Sequence, residues 1–222
     1  MIKAFIFDFG RVISTPRPAA CFQAYEDDLG LARGSINRIM FDSSHWQEAL
    51  VGRLSMKAFW HRIGPSLGLA TPEAVNAFRR RYYGDETVNQ EVANLIRALH
   101  GTYRLAVLSN HPPGLDHWLE NWGLRRYFDI VYCSGDEGCA KPDPAVYRAT
   151  LARLGVKTSE AIFIDDTAGH VKTARTLGLG GIVFTGAQHL AQDLAPFLPA
   201  PDPGKHYPET DPPPNPTSPE AH

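Results

Sequence analysis

The sequence predicts an α/β fold, a doubly wound parallel sheet with a helical segment inserted after its first strand. Five short runs rich in β-branched and aromatic residues, at 4–7, 105–108, 130–132, 161–164 and 181–184, are apolar almost throughout. Runs of this kind are too short for buried helices, and their lack of alternation is the mark of parallel strands covered on both faces. Segments with apolar residues at helical spacing lie between the later runs, so strand and helix alternate. Residues 15 to 88 break that rhythm, with helical patterns and many aromatic residues but no strand signal.

The elements follow in order. The first strand covers 4–7. The insertion that follows carries Phe22, Tyr25, Phe41, Trp46, Phe59, Trp60, Phe78, Tyr82 and Tyr83. Leaving after the first strand and returning before the second, it should lie over the carboxyl edge of the sheet, where such folds bind ligands. That makes it a candidate lid, with its tryptophans assigned to its own core. A helix over 91–100 places Val92, Leu95, Ile96 and Leu99 on one face. Asp143 and Pro144 supply an N-cap and a first-turn proline for a helix presenting Tyr147, Leu151 and Leu154. Gly101, Gly123, Gly155 and Gly178 sit where helices need a left-handed residue to close. The expected organisation is a core of 1–14 and 89–198, a helical cap of 15–88, and a tail of 199–222.

Composition bounds the function. Nine of the 18 prolines fall in 199–222, where Tyr207 is the only large apolar residue, so that segment is expected to be a disordered tail. The formal charge of −2 provides no basic field for a polyanion, which argues against a nucleic-acid partner. No stretch approaches the ~18 apolar residues of a membrane span. The N-terminus breaks into charge at Asp8 before a signal-peptide core develops, and the expectation is a soluble, cytoplasmic chain. Cys21, Cys133 and Cys139 lack paired spacing and read as free thiols.

Polar residues gather where the strands end: Asp8-Phe9-Gly10 after the first, Ser109-Asn110-His111 after the second, Asp165-Asp166-Thr167 after the fourth. Lys141-Pro142-Asp143 lies between the third strand and its helix. In a parallel sheet these carboxyl ends converge on one crevice. Carboxylates packed together call for a hard cation such as Mg²⁺, which takes one or two of them plus waters and phosphate oxygens. Lys141 and Ser109 would then face a phosphate.

In order and strand context, this constellation resembles the haloacid dehalogenase superfamily of hydrolases over residues 1 to about 198. The insertion resembles the helical cap of one branch, and the core implied is Rossmann-like. The resemblance makes Asp8 the nucleophile that takes the phosphoryl group, and also a metal ligand. It makes Ser109, with the backbone N–H of Asn110, the group that binds the phosphoryl, and Lys141 the cation beside nucleophile and phosphate. It makes Asp166 and the backbone carbonyl of Gly10 further ligands for Mg²⁺. Asp8-Phe9-Gly10 also matches a protein-kinase tripeptide, but only seven residues precede it, and a kinase is not expected.

Two positions depart from the family pattern. Gly10 stands where phosphatases usually carry a second aspartate as general acid and base, and an Asp-x-Gly motif resembles that of some sugar-phosphate phosphatases. His170 stands four residues after Asp166, where an acid is common. The expected function is a metal-dependent phosphatase of a small phosphorylated metabolite, such as a sugar phosphate, through an aspartyl-phosphate. A 2-haloacid dehalogenase and a metabolite-binding regulatory protein with little turnover remain alternatives. His111 reads as a solvent-facing turn residue.

Overall fold

A computed structural model describes residues 1–198. The proline-rich segment 199–222, expected as a tail, lies outside the described residues. Strands β1 (Ala4–Phe7), β2 (Arg104–Ser109), β3 (Ile130–Cys133), β4 (Ala161–Asp165) and β5 (Gly180–Val183) form one parallel sheet in the order β3-β2-β1-β4-β5. The α/β prediction is met by a five-stranded parallel sheet with helices on both faces.

All four residues of β1 are buried, and their alternation assigns them to two cores. Phe5 and Phe7 join a cluster with α6 (Gln90–Leu99), α7 (Leu115–Asn121) and α11 (Ala187–Leu194). Ala4 and Ile6 join a second cluster with α9 (Pro144–Leu154) and α10 (Ala168–Thr176). The chain winds from β1 toward β3 on one side and reaches β4 and β5 on the other. The strand order therefore reverses at β1, and the crevice of such a sheet opens at its carboxyl end.

Local chemistry explains the element boundaries. The Asp143 carboxylate accepts a hydrogen bond from the Ala145 N–H at 2.8 Å, with Pro144 in the first turn of α9, and Gly155 closes that helix at φ 68°. Gly101 differs from its expected role. The α6 helix ends at an extended His100, and Gly101 (φ 84°) completes a type II turn in which the Thr102 N–H donates to the Leu99 carbonyl at 3.3 Å. Two strands also run further than their apolar stretches, so that Ser109 ends β2 and Asp165 ends β4, both buried. Polar side chains at these positions still belong to the ladder, which holds them more firmly than a loop would.

Between β1 and β2 lie α1 (Ala19–Leu29), α2 (Ser35–Phe41), α3 (Ser44–Leu50), α4 (Met56–Ile63) and α5 (Pro72–Gly84). Ser43, Ser55 and Thr71 cap the last three through side-chain oxygens. These helices share a core of their own around Tyr25, Ile36, Met40, Phe59, Trp60 and Phe78. Trp60 is buried there and donates its indole N–H to the Tyr83 hydroxyl at 2.8 Å, whereas His61 is exposed. The chain enters and leaves this insert through a two-stranded antiparallel ribbon. Ser14 faces Val88, the Thr15 N–H donates to the Thr87 carbonyl at 2.7 Å, and the Asn89 N–H to the Ile13 carbonyl at 2.8 Å. Arg17 clamps the ribbon by pairing with Glu86 at 2.5 Å and stacking over the Tyr82 ring.

A second contact seats the insert on the sheet. The Ser134 hydroxyl, in α8 (Ser134–Glu137), donates to the Leu50 carbonyl at 2.5 Å and accepts from the His111 N–H at 3.1 Å. Gly52 (φ 70°) packs so closely here that a β-carbon would come within 2.1 Å of the Gly135 carbonyl oxygen. Gly52→Ala is therefore expected to cost at least about 1–2 kcal/mol from the left-handed backbone, with the clash added to it. Urea denaturation measures this, and an unchanged midpoint would show that the insert does not seat at Gly52.

Cys133 is buried, Cys21 and Cys139 are half-buried, and all three are free. Among the described residues, no helix is long and apolar enough to cross a membrane.

Candidate active site

Asp8 follows β1 directly and extends its ladder, donating its N–H to the Ile164 carbonyl at 2.8 Å. The next residues, Phe9–Ile13, form one wide turn closed by the Ser14 N–H on the Phe9 carbonyl at 2.9 Å. Within it Arg11 adopts the left-handed region, φ 62° and ψ 6°. Gly10 does not: its φ of −64° and ψ of 124° suit any residue, and a β-carbon placed there meets nothing within 4 Å. Glycine at position 10 is thus required neither by the backbone nor by its neighbours.

Lys141 organises the centre. Its side chain is 1% exposed, and its Nζ donates to Asp8 Oδ1 at 2.7 Å and to Asp165 Oδ2 at 2.6 Å. Its backbone is braced by Asn110, whose Nδ2 donates to the Lys141 carbonyl at 2.8 Å and whose Oδ1 accepts the Lys141 N–H at 2.7 Å. The side-chain amide of Asn110 therefore positions the lysine. Ser109, 2% exposed, stands one residue earlier at the end of β2.

The two adjacent acids do different things. Asp165 is fully buried and saturated by protein donors: besides Lys141 it accepts the Thr167 N–H at 2.7 Å and lies 3.1 Å from His170 Nδ1. Asp166 is half-buried, with its Oδ2 3.3 Å from Arg11 Nε and its Oδ1 accepting from the Thr167 hydroxyl at 3.3 Å. Asp8, Asp165 and Asp166 each present an oxygen within 4.8 Å of the others. An all-carboxylate set of this kind suits a hard divalent cation such as Mg²⁺ and disfavours soft metals.

Burial pushes the Asp8 carboxyl above the usual carboxylate range, against the pull of Lys141, and the nearby Asp165 charge adds to the rise. Burial works on Asp165 in the same direction, but hydrogen bonds from His170, Lys141 and the Thr167 N–H outweigh it and hold that carboxyl low. Asp165 therefore stays ionised as the fixed counter-ion of the lysine. His111 differs from its expected place in solvent. Its ring packs edge-on against Phe9 at 5.4 Å, its Nδ1 lies 2.7 Å from the Pro112 carbonyl, and burial lowers its pKa. It is a neutral packing residue at pH 7.

Asp8, Ser109, Asn110, Lys141, Asp165 and Asp166 converge at the carboxyl ends of the strands, whereas His111 turns into the packing beside Phe9. Reading the sequence missed the parts played by Asp165, His170 and Arg11. The spacing of Asp165 and Thr167, an acid two residues before a potential N–H donor at a helix start, was the available signal for Asp165. His170, one turn into α10, stands where it reaches back to that acid. For Arg11 no signal existed, because its pairing depends on a left-handed backbone.

A sequence model described as haloacid dehalogenase-like hydrolase matches residues 2–178. A sesquiterpene phosphatase of Aspergillus oryzae is 29% identical over 198 residues, covering 87% of this chain and 92% of that protein. A D-ribitol-5-phosphate phosphatase of Bacteroides thetaiotaomicron is 28% identical over 188 residues, covering 80% and 89%. Among solved structures, a HAD family enzyme from Bacteroides thetaiotaomicron, crystallised with magnesium and inorganic phosphate, superposes with a TM-score of 0.68. That match is 20% identical and covers 86% of this chain and 99% of the other.

Proposed function

The chain belongs to the haloacid dehalogenase-like hydrolases, and from that premise we propose that it is a Mg²⁺-dependent phosphatase of a small phosphorylated metabolite. The observation that carries the reading is Lys141, held between Asp8 and Asp165 with Asp166 alongside. Three carboxylates against the Lys141 ammonium and the Arg11 guanidinium leave one negative charge in excess, and a divalent cation turns that excess into a positive charge able to receive a phosphate. Phosphatase names among the relatives support the reaction, and the ribitol phosphatase supports a polyol or sugar phosphate as substrate class.

In this mechanism an Asp8 oxygen forms a bond to phosphorus while the bond to the ester oxygen breaks, giving an aspartyl-phosphate and an alcohol. Lys141 and the Ser109 hydroxyl hold the equatorial oxygens, with the backbone N–H of Asn110 beside them. Water then attacks the phosphorus of the acyl phosphate, the bond from phosphorus to the Asp8 oxygen breaks, and inorganic phosphate leaves with Asp8 restored as a carboxylate. Asp8, Asp166 and the Gly10 carbonyl would hold Mg²⁺, which supplies charge neutralisation for the phosphoryl group when bound. Residues 15–88 act as the cap that encloses a small substrate.

The leaving alcohol needs a proton, and position 10 offers no acid. Turnover should therefore favour aryl phosphates, whose leaving groups need little protonation. Since Gly10 has an ordinary backbone and open space, Gly10→Asp is expected to raise kcat/KM for alkyl phosphates on the order of 10-fold, part of the 10²–10⁴ that general acid–base catalysis typically provides. An unchanged rate on alkyl phosphates would mean that another acid already serves the leaving group.

The reading itself is tested on 4-nitrophenyl phosphate and a panel of sugar phosphates, with Mg²⁺ and with chelator. Mg²⁺-dependent phosphate release is expected. Chloride release from a 2-chloroacid without metal would replace the phosphatase by a dehalogenase. Metabolite binding with no turnover across the panel would make it a regulatory protein.

A further inference from the structure

Arg11 is strained and outside the core, yet its side chain reaches one specific acid. It is the one non-glycine residue at positive φ among the described residues. Left-handed backbone is disfavoured for a side chain of this kind and persists only where surrounding bonds impose it. Here they do: the Arg11 N–H donates to Ser14 Oγ at 3.2 Å, and the Ser14 N–H closes the turn on Phe9. Packing does not account for arginine, because the side chain is 71% exposed. Its single polar side-chain contact among the described residues is Asp166 Oδ2, at 3.3 Å. The strained turn thus aims a guanidinium at the most exposed member of the carboxylate group.

We propose that Arg11 is a counter-ion that holds Asp166 until a divalent cation takes its place, and that the released guanidinium then helps to hold the phosphate of the substrate. The idea rests on the metal-site reading above and extends it to regulation of cation affinity. Asp8 and Asp165 share the buried Lys141, whereas Asp166 is paired with an exposed guanidinium that an incoming ion can displace. A cation bound there would stand beside the guanidinium, and like charges at that separation repel, so Arg11 weakens metal binding to the free site. Once a phosphate dianion arrives the sign reverses, since a planar guanidinium suits phosphate oxygens well. Arg11 therefore makes cation and phosphate binding more strongly interdependent than they would be with glycine at that position.

The test is calorimetric titration of the purified protein with MgCl₂, and separately of the Mg²⁺-loaded protein with inorganic phosphate, for wild type, Arg11→Gly, Arg11→Asn and Arg11→Lys. Glycine and asparagine both accept a left-handed backbone, so both variants are expected to fold. Each should bind Mg²⁺ several-fold more tightly at low salt and phosphate several-fold more weakly, with both differences shrinking at high ionic strength. Arg11→Lys, which keeps the charge, should stay near wild type for Mg²⁺. Unchanged Mg²⁺ affinity in both neutral variants would overturn the counter-ion proposal alone. Absence of Mg²⁺ binding by the wild type would overturn the metal-site reading, and this proposal with it.

Discussion

Asp8→Asn is expected to lower kcat by about four orders of magnitude or more, because the variant removes the atom that forms the bond to phosphorus. It should do so without unfolding the protein. The amide matches the carboxylate in size, and Lys141 keeps its bond to Asp165 at 2.6 Å, so the lysine is not left unpaired. Burial also raises the cost of the Asp8 charge, and the neutral amide removes that cost. The thermal midpoint should therefore hold or rise while turnover disappears. Steady-state hydrolysis of 4-nitrophenyl phosphate beside a melting curve separates the two effects. A variant that keeps substantial activity would exclude Asp8 as the nucleophile.

Lys141→Met should be damaging in a different way. Asp8 and Asp165 are 7% and 0% exposed, and without the lysine Asp8 loses its buried counter-charge while Asp165 keeps only its contacts with Thr167 and His170. Removing one partner of a buried ion pair typically costs about 3–5 kcal/mol. The pH dependence follows from the sign of the change. Loss of the lysine raises the folded-state pKa of both carboxyls, taking Asp8 further above its unfolded value and removing part of what holds Asp165 low, so the deficit relative to wild type is absent at low pH and grows as pH rises through the carboxylate range. Urea denaturation should accordingly show a larger deficit at pH 8 than at pH 5. A deficit independent of pH would mean that Lys141 contributes packing and not charge compensation.

The sheet was readable because parallel strands buried on both faces leave uninterrupted apolar runs, and 4–7 is the clearest of them. The strand ends were less readable for the same reason. Ser109 and Asp165 are polar, so an apolar run stops before them, although the ladder does not. The helical insert was legible as an absence of strands, and its division into five helices was not, since several are barely two turns long. Within the crevice, residue types and order sufficed to collect Asp8, Ser109, Lys141 and the Asp165-Asp166 pair. The division of labour between those two acids was beyond them. It is set by which carboxylate faces the lysine at the end of β4, a rotation about a few backbone bonds that composition does not encode. His111 shows the same limit, because a loop histidine becomes a packing residue only through the distant Phe9 ring.

The ribbon joining the insert to the sheet also bears on how the chain reaches its fold. Ala4 pairs with Arg104, a closure of about a hundred residues, and long-range strand pairing of that kind is slow because loop entropy must be overcome before any contact compensates it. The antiparallel pairing of Ser14 with Val88 shortens that search. Once the insert has condensed around Tyr25, Phe59 and Trp60, its two ends emerge side by side, and β1 is separated from α6 and β2 by only a short effective loop. Early collapse of the insert would then speed assembly of the sheet, although no strand belongs to it. The same adjacency of ends makes the insert an exchangeable module, since another helical unit with neighbouring termini could replace it without altering the register of β1 on β2.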